Sequence, residues 1–231
     1  MKYFTLILTA VLVAMAAHTA MAAMYVETFS SNNAGWLAVR VAPDSWPAAT
    51  YNSSGGNPGG CISGMLSSGA PRLYGLQPAD ASLYQGLTGA LTTDFKLDGT
   101  VTGPSGAMVR FYVGSWTGGN NYFVTNDTYS WNPNLDTAWT THSVALLASN
   151  FIVWPNQNAG TKTFDQVVAA PEDIGLVFAD GVANFGNNDT LGFTGSGTIF
   201  VDNFGTVPEP ATMALLALGG VGLLVRRRRN K

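Results

Sequence analysis

Met108-Val109-Arg110-Phe111-Tyr112-Val113 sets Val109, Phe111 and Val113 on one side of an extended chain and Met108, Arg110 and Tyr112 on the other. Successive side chains of a strand point to opposite faces, so this is the alternation of a strand with one buried face. Outward from it, short runs rich in β-branched and aromatic residues recur at 24–29, 36–41, 61–66, 91–97, 122–125, 141–147, 174–178 and 199–204. Between them lie turn-forming, polar connections: Asn52-Ser53-Ser54-Gly55-Gly56-Asn57-Pro58-Gly59-Gly60, then 114–121 and 184–190. No stretch sustains a 3.6-residue period, and nothing repeats at a fixed interval. The sequence therefore predicts an all-β sandwich, and no linker richer than an ordinary turn divides it.

Both ends differ from this middle. Lys2, an apolar stretch over 4–17 and Ala20-Met21-Ala22 have the order of a secretory signal, with Ala20 and Ala22 as the small residues of the cleavage site and Ala23 as the first mature residue. The apolar run is shorter than the roughly 20 residues of a spanning helix. At the other end Val207-Pro208-Glu209-Pro210 precedes fifteen uncharged residues, 211–225, and then Arg226, Arg227, Arg228 and Arg229. The prolines prevent a helix before Ala211, the apolar run consists of good helix formers, and the arginines read as a membrane stop on the cytoplasmic side. The expected division is a signal peptide at 1–22, a β-sandwich domain at 23–206 and a tail at 207–231.

Charge narrows the function. The chain carries 11 basic and 14 acidic residues, but six of the basic ones lie in the ends. The middle keeps Arg40, Arg72, Lys96, Arg110 and Lys162 against 13 acids, a net charge of −8. Nucleic acid is excluded as a partner, because phosphate binding needs a basic face. A single cysteine, Cys61, closes no intramolecular disulfide, and it is expected to be buried and inert. With only His18 and His142, a histidine-rich metal site is excluded by counting.

Pro208-Glu209-Pro210, the short apolar helix and the terminal arginines together resemble the PEP-CTERM sorting tail of exported Gram-negative proteins. The resemblance implies a transient inner-membrane anchor. An exosortase-type transpeptidase would cut near Pro208, Glu209 and Pro210 and pass the body to the cell surface or extracellular matrix; a permanent single-span anchor is the alternative. A second resemblance spans roughly 27–204. Glu27-Thr28-Phe29 with Gly35-Trp36, Gly56-Asn57-Pro58-Gly59-Gly60-Cys61-Ile62, Leu91-Thr92-Thr93-Asp94-Phe95-Lys96-Leu97, Ala138-Trp139-Thr140-Thr141-His142-Ser143-Val144 and Val201-Asp202-Asn203-Phe204 are similar to laminin B (domain IV) modules. Those modules are similar in turn to jelly-roll carbohydrate-binding modules. This implies a jelly-roll-like β-sandwich. It also implies a structural Ca²⁺ tying the first and last strands through Glu27 and Asp202, the alternative being that both carboxylates bond turn amides.

Catalysis finds little support in the residues. Most acids fall in turns, and adjacent strand residues such as Glu172 and Asp173, or His142 and Ser143, diverge rather than converge. No catalytic residue is expected, and the protein is read as a non-enzyme. Sugar binding is better served, since the apolar face of a pyranose stacks on aromatic rings while amides and carboxylates take its hydroxyls. Trp116 and Tyr122, with Tyr129 and Trp131, mix these types with glycine and asparagine and are the expected ligand residues, although rings in a sandwich also build core. Trp36 and Trp139 are assigned to the core. The expected function is that of an exported, non-catalytic surface or matrix protein. Its expected partners are signal peptidase, an exosortase-type transpeptidase, the inner membrane transiently, and extracellular polysaccharide. A purely structural matrix protein is the alternative, and a secreted glycan-active enzyme the weakest reading.

Overall fold

A computed structural model describes residues 25–41, 45–66, 72–103, 106–154, 160–180 and 193–207. The signal peptide and the tail from Pro208 onward, including Ala20, Ala22, Glu209, Pro210 and Arg226 to Arg229, lie outside the described residues, as does the connection at 184–190. Two antiparallel sheets face each other in a jelly-roll-like sandwich. The first contains β3 (Thr50–Gly56), β4 (Gly59–Met65), β12 (Thr194–Val207), β6 (Ala90–Thr102) and β9 (Thr140–Ala145) in that order, with β1 (Val26–Glu27) also paired to β12. The second runs β10 (Phe151–Val153), β8 (Asn121–Thr125), β7 (Ala107–Ser115), β11 (Asp173–Asp180), β5 (Arg72–Pro78) and β2 (Trp36–Val41). The short helix α1 (Phe164–Ala169) is closed by a capping box between Thr163 and Gln166 and buries Phe164 against Phe123 and Phe151.

The alternation of 108–113 holds. Val109, Phe111 and Val113 enter the main core between the sheets, while Met108 and Tyr112 join a separate cluster on the outer face of the second sheet. The main core is aromatic at its centre: Trp36 meets Phe29 at 5.5 Å and Phe204 at 4.8 Å, both edge-on. Such pairs add roughly 0.5–1.5 kcal/mol to the area they bury.

Three strands escape the sequence pattern. The polar stretch beginning at Asn52 is not one long turn: β3 and β4 continue to Gly56 and Gly59, leaving Asn57 and Pro58 as the turn. Its composition misleads because β3 is an edge strand, mostly exposed, where serine and asparagine cost nothing. Gly59 takes φ +98, which a side chain would resist. Strand β5 carries Gly75 and ends in Pro78, and β10 has three residues, too short for a period to show. Trp139 also departs from expectation. It sits partly exposed beside β9 and donates its indole N–H to the Gly55 carbonyl at 3.0 Å.

Candidate functional site on the outer face of the second sheet

Sheet register decides which side chains meet. Gln77, Gly175, Tyr112 and Val124 lie in one row across β5, β11, β7 and β8, while Asp173, Gly114 and Tyr122 form the next. Because Gly114 has no side chain, the Tyr122 ring lies over β7. A Cβ there would stand 2.2 Å from the ring. Tyr74 reaches the same face through a bulge: Val39 pairs with Gly75 and Arg40 with Leu73, so Tyr74 is the extra residue and leaves the core side. Trp154, held by its N–H to the Tyr122 carbonyl at 2.9 Å, completes the ladder. Its indole stacks on Tyr74 at 5.9 Å and meets Tyr112 and Tyr122 edge-on at 5.8 and 5.9 Å. Tyr112 and Trp154 are buried, whereas Tyr74 and Tyr122 keep part of their surface in solvent.

A carboxyl sits beneath the rings. Asp173 is buried; Tyr112 Oη lies 2.7 Å from its Oδ1, and Tyr122 Oη is 3.4 Å from Oδ2. Burial pushes the Asp173 carboxyl up to about 7 against the lowering by these hydrogen bonds and by the Ile174 amide. Tyr112 Oη is also 2.6 Å from Gln77 Oε1. One phenolic proton cannot serve both acceptors: Tyr112 donates to Asp173 when the carboxylate is ionised, and once Asp173 is protonated it can donate to Tyr112 and leave the phenolic proton for Gln77.

The neighbouring hairpin loop carries the most solvent-exposed ring of this end. Trp116 is 55% exposed, yet its backbone is fixed. Glu172 accepts from the Trp116 N–H at 2.7 Å, the Thr117 N–H at 2.8 Å and Ser115 Oγ at 2.9 Å, and from the Thr117 hydroxyl as well. Burial works to raise the Glu172 carboxyl, but these donors overcome it and hold it at about 2, so the clamp is ionised at any physiological pH. On the other side, Lys162 Nζ donates to Ser115 Oγ at 2.6 Å and the Lys162 N–H to Asn121 Oδ1 at 2.7 Å. Glu172, just before β11, and Asp173, its first residue, thus diverge, one into the loop and one under the rings.

The four aromatic residues read as ligand contacts fall into two places. Trp116 and Tyr122 share the end of β7 and β8. Tyr129 and Trp131 pack against the main core. Trp131 bridges β7 at Val109, stacks on His142 at 4.0 Å and leans on Phe95 and Phe111. His142 in turn contacts Asp136 at 2.8 Å through Nε2, which places it in a structural stack rather than beside Ser143. Cys61 is buried, and burial raises its thiol first of all. Tyr74, Gln77, Tyr112 and Trp154 were not singled out as site residues by sequence, and Asp173 was read only as diverging from Glu172. The outward position of Tyr112 in its alternating stretch was the only hint.

Glu27 and Asp202 lie on paired strands, β1 and β12. Asp202 accepts the Asn57 N–H at 2.6 Å on Oδ2 and the Asn203 N–H at 2.8 Å on Oδ1. Glu27 accepts the Phe29 N–H at 3.0 Å and the Tyr25 hydroxyl at 2.7 Å. Opposite Asp202 in register stands Asp94, whose oxygens take Asn203 Nδ2 at 2.6 Å, Asn57 Nδ2 at 3.2 Å and Thr141 Oγ1 at 2.5 Å. Burial raises the Asp202 carboxyl. Ca²⁺ wants six to eight oxygen ligands, whereas these oxygens face N–H and O–H donors. Among the described residues no group of three or more His, Cys, Asp or Glu side chains is gathered for a metal. As arranged, the residues do not fit the ion.

Comparison with solved structures finds distant likenesses. A family 11 carbohydrate-binding module of the cellulosomal cellulase Lic26A-Cel5E from Clostridium thermocellum is similar at 17% identity and TM-score 0.45, covering 81% of this chain and 96% of its own. A solution structure of CtCBM11 gives 16%, 0.40, 81% and 91% respectively. A candidate glycoside hydrolase from Bacteroides thetaiotaomicron gives 11%, 0.41, 81% and 72%. No curated protein matches the chain in sequence. Residues 206–229 match the PEP-CTERM protein-sorting motif, so the chain ends in that sorting signal.

Proposed function

We propose that this is an exported, non-catalytic protein, sorted through its carboxyl-terminal motif, that holds extracellular polysaccharide on the outer face of its second sheet. The sorting motif supports export and a destination at the cell surface or matrix, with signal peptidase and an exosortase-type enzyme as its processing partners. One observation carries the binding role: Trp116 stands 55% exposed on a loop that Glu172 clamps at three consecutive residues. A coat protein that binds nothing gains nothing from an ordered indole in solvent. A stacking platform gains affinity because the ordering cost is already met in the unliganded protein. Tyr122 and Tyr74 extend the platform with partly exposed rings, and their hydroxyls offer hydrogen bonds to sugar oxygens.

The test is affinity electrophoresis of residues 23–207, a boundary that keeps β12 whole, through gels containing the producing organism's own polysaccharide. The wild-type chain is expected to be retarded saturably. Trp116→Ala should lose most of that retardation at an unchanged melting temperature, and equal retardation of both would refute the platform.

A further inference from the structure

A second exposed indole stands on the same face as the rings beside Trp116. Trp46 is 56% exposed and belongs to the segment 45–48, which runs antiparallel beside β2. Ser45 and Arg40 exchange both backbone hydrogen bonds, at 2.9 and 3.1 Å, and the Ala38 N–H donates to the Pro47 carbonyl at 2.8 Å. With Leu37 bridged to Ala48 as well, this register sets Trp46 opposite Val39. Residues opposite each other in an antiparallel pair share a face. Trp36 and Ala38 enter the main core, so Val39 and Trp46 face away from it. Val39 pairs with Gly75 and Gly75 with Val177, a member of the outer-face cluster against which Tyr74 packs.

From there the rings form a track. Tyr74, the residue before Gly75, stacks on Trp154; Trp154 meets Tyr122 edge-on, and Tyr122 lies over Gly114, two residues before Trp116. Trp46 is thus at one end of an aromatic line and Trp116 at the other. Four inter-strand steps separate segment 45–48 from β7, about 19 Å. Arg110 closes the row of Val39, Gly75 and Val177, and Trp116 follows it by six residues, about 20 Å along the strand. The diagonal is roughly 28 Å, more than a disaccharide or trisaccharide covers.

Both ends are ordered in the unliganded protein. Pro47 confines Trp46 to extended backbone, and the hydrogen bonds to β2 hold that backbone on either side; Trp116 has its Glu172 clamp. Charge narrows what fits between them. The basic groups of this face are engaged, Arg110 with Asp127 at 2.6 Å and Lys162 Nζ with Ser115 Oγ at 2.6 Å. Glu172 is ionised, and the sandwich has five basic residues against 13 acids. An acidic polysaccharide would be repelled, whereas a neutral one is not.

We infer that Trp46 is a second stacking residue, and that the outer face of the second sheet takes the interior of a long, neutral polysaccharide chain laid diagonally from Trp46 to Trp116. The inference rests on the platform reading above and adds to it a far anchor, a minimum ligand length and a charge class.

The experiment uses the full chain in a polyoxyethylene detergent, which has no sugar headgroup, run through gels containing the neutral or the acidic fraction of the producing organism's extracellular polysaccharide. The wild type should be retarded by the neutral fraction. Trp46→Ala should raise the concentration needed for half-retardation about tenfold at an unchanged melting temperature, and Trp46→Tyr, which keeps a ring, should stay within about twofold of the wild type. Equal retardation of Trp46→Ala and wild type, with Trp116→Ala still impaired, would overturn the far anchor and leave the platform standing; a tenfold loss in Trp46→Tyr as well would overturn its stacking role. A disaccharide and trisaccharide hydrolysate of the neutral fraction that competes as well as the intact polymer, weight for weight, would overturn the length requirement, and stronger retardation by the acidic fraction would overturn the charge class. No retardation of the wild type by either fraction would overturn the platform and the inference with it.

Discussion

Replacing Asp173 by Asn should flatten one component of the pH dependence of stability. In the folded protein the carboxyl is raised to about 7 by burial under Tyr112 and Tyr122; in the unfolded chain it titrates near the ordinary value of about 3.9. Between those two values the folded state holds a proton that the unfolded state has released. Stability from this group is thus complete below about pH 4 and falls as pH rises, by about 1.4 kcal/mol per unit, until it levels off near pH 7. Over about three units the loss is about 4 kcal/mol, a large part of the stability of a typical domain. Asp202 is raised in the same direction and Glu172 is lowered, so the whole-protein curve mixes several groups. The difference between wild type and Asp173→Asn isolates one. Urea midpoints measured at half-unit steps from pH 4 to 9 should show the variant gaining on the wild type from pH 4 to 7, and by a constant amount above that. A difference curve flat across pH 4 to 7 would show that Asp173 ionises normally in the folded state and would refute the proton placement at Tyr112.

Trp131→Ala removes a ring that touches Phe95, Phe111 and His142; it should cost about 3 kcal/mol in urea denaturation while polysaccharide retention by the folded fraction stays unchanged. Gly114→Ala drives a methyl into the Tyr122 ring, costing about 1–3 kcal/mol and weakening retention together with stability, as electrophoresis and thermal melts on the same sample would record. Chelation by EDTA should leave the melting temperature unchanged, because the Glu27 and Asp202 oxygens already accept N–H and O–H donors; a drop of several degrees restored by Ca²⁺ would reverse that conclusion.

Local chemistry explains what the sequence could and could not show. The alternation at 108–113 was readable because β7 lies inside its sheet and has a continuous core face, and the same holds for β6 and β11. Strand β3 was not, because an exposed edge places no demand for apolar residues on Asn52, Ser53 and Ser54. Trp116 could be proposed from its glycine and asparagine neighbours, but its clamp depends on Glu172, 56 residues away in the chain. Tyr129 and Trp131 have similar polar neighbours and differ in one respect: a bridge to Val109 turns Trp131 toward the core. The position of Tyr74 follows from a one-residue register shift, which leaves no mark on composition. Asp173 and Gln77 acquire their partners only when β5, β7 and β11 are laid side by side.

The central claim is that Trp116 and the rings beside it hold polysaccharide. Isothermal titration of residues 23–207 with the producing organism's extracellular polysaccharide tests it most directly. The account predicts a saturable heat for the wild-type chain that disappears for Trp116→Ala, whereas no heat for the wild type at any polysaccharide concentration would contradict it and leave a sorted structural protein as the better account.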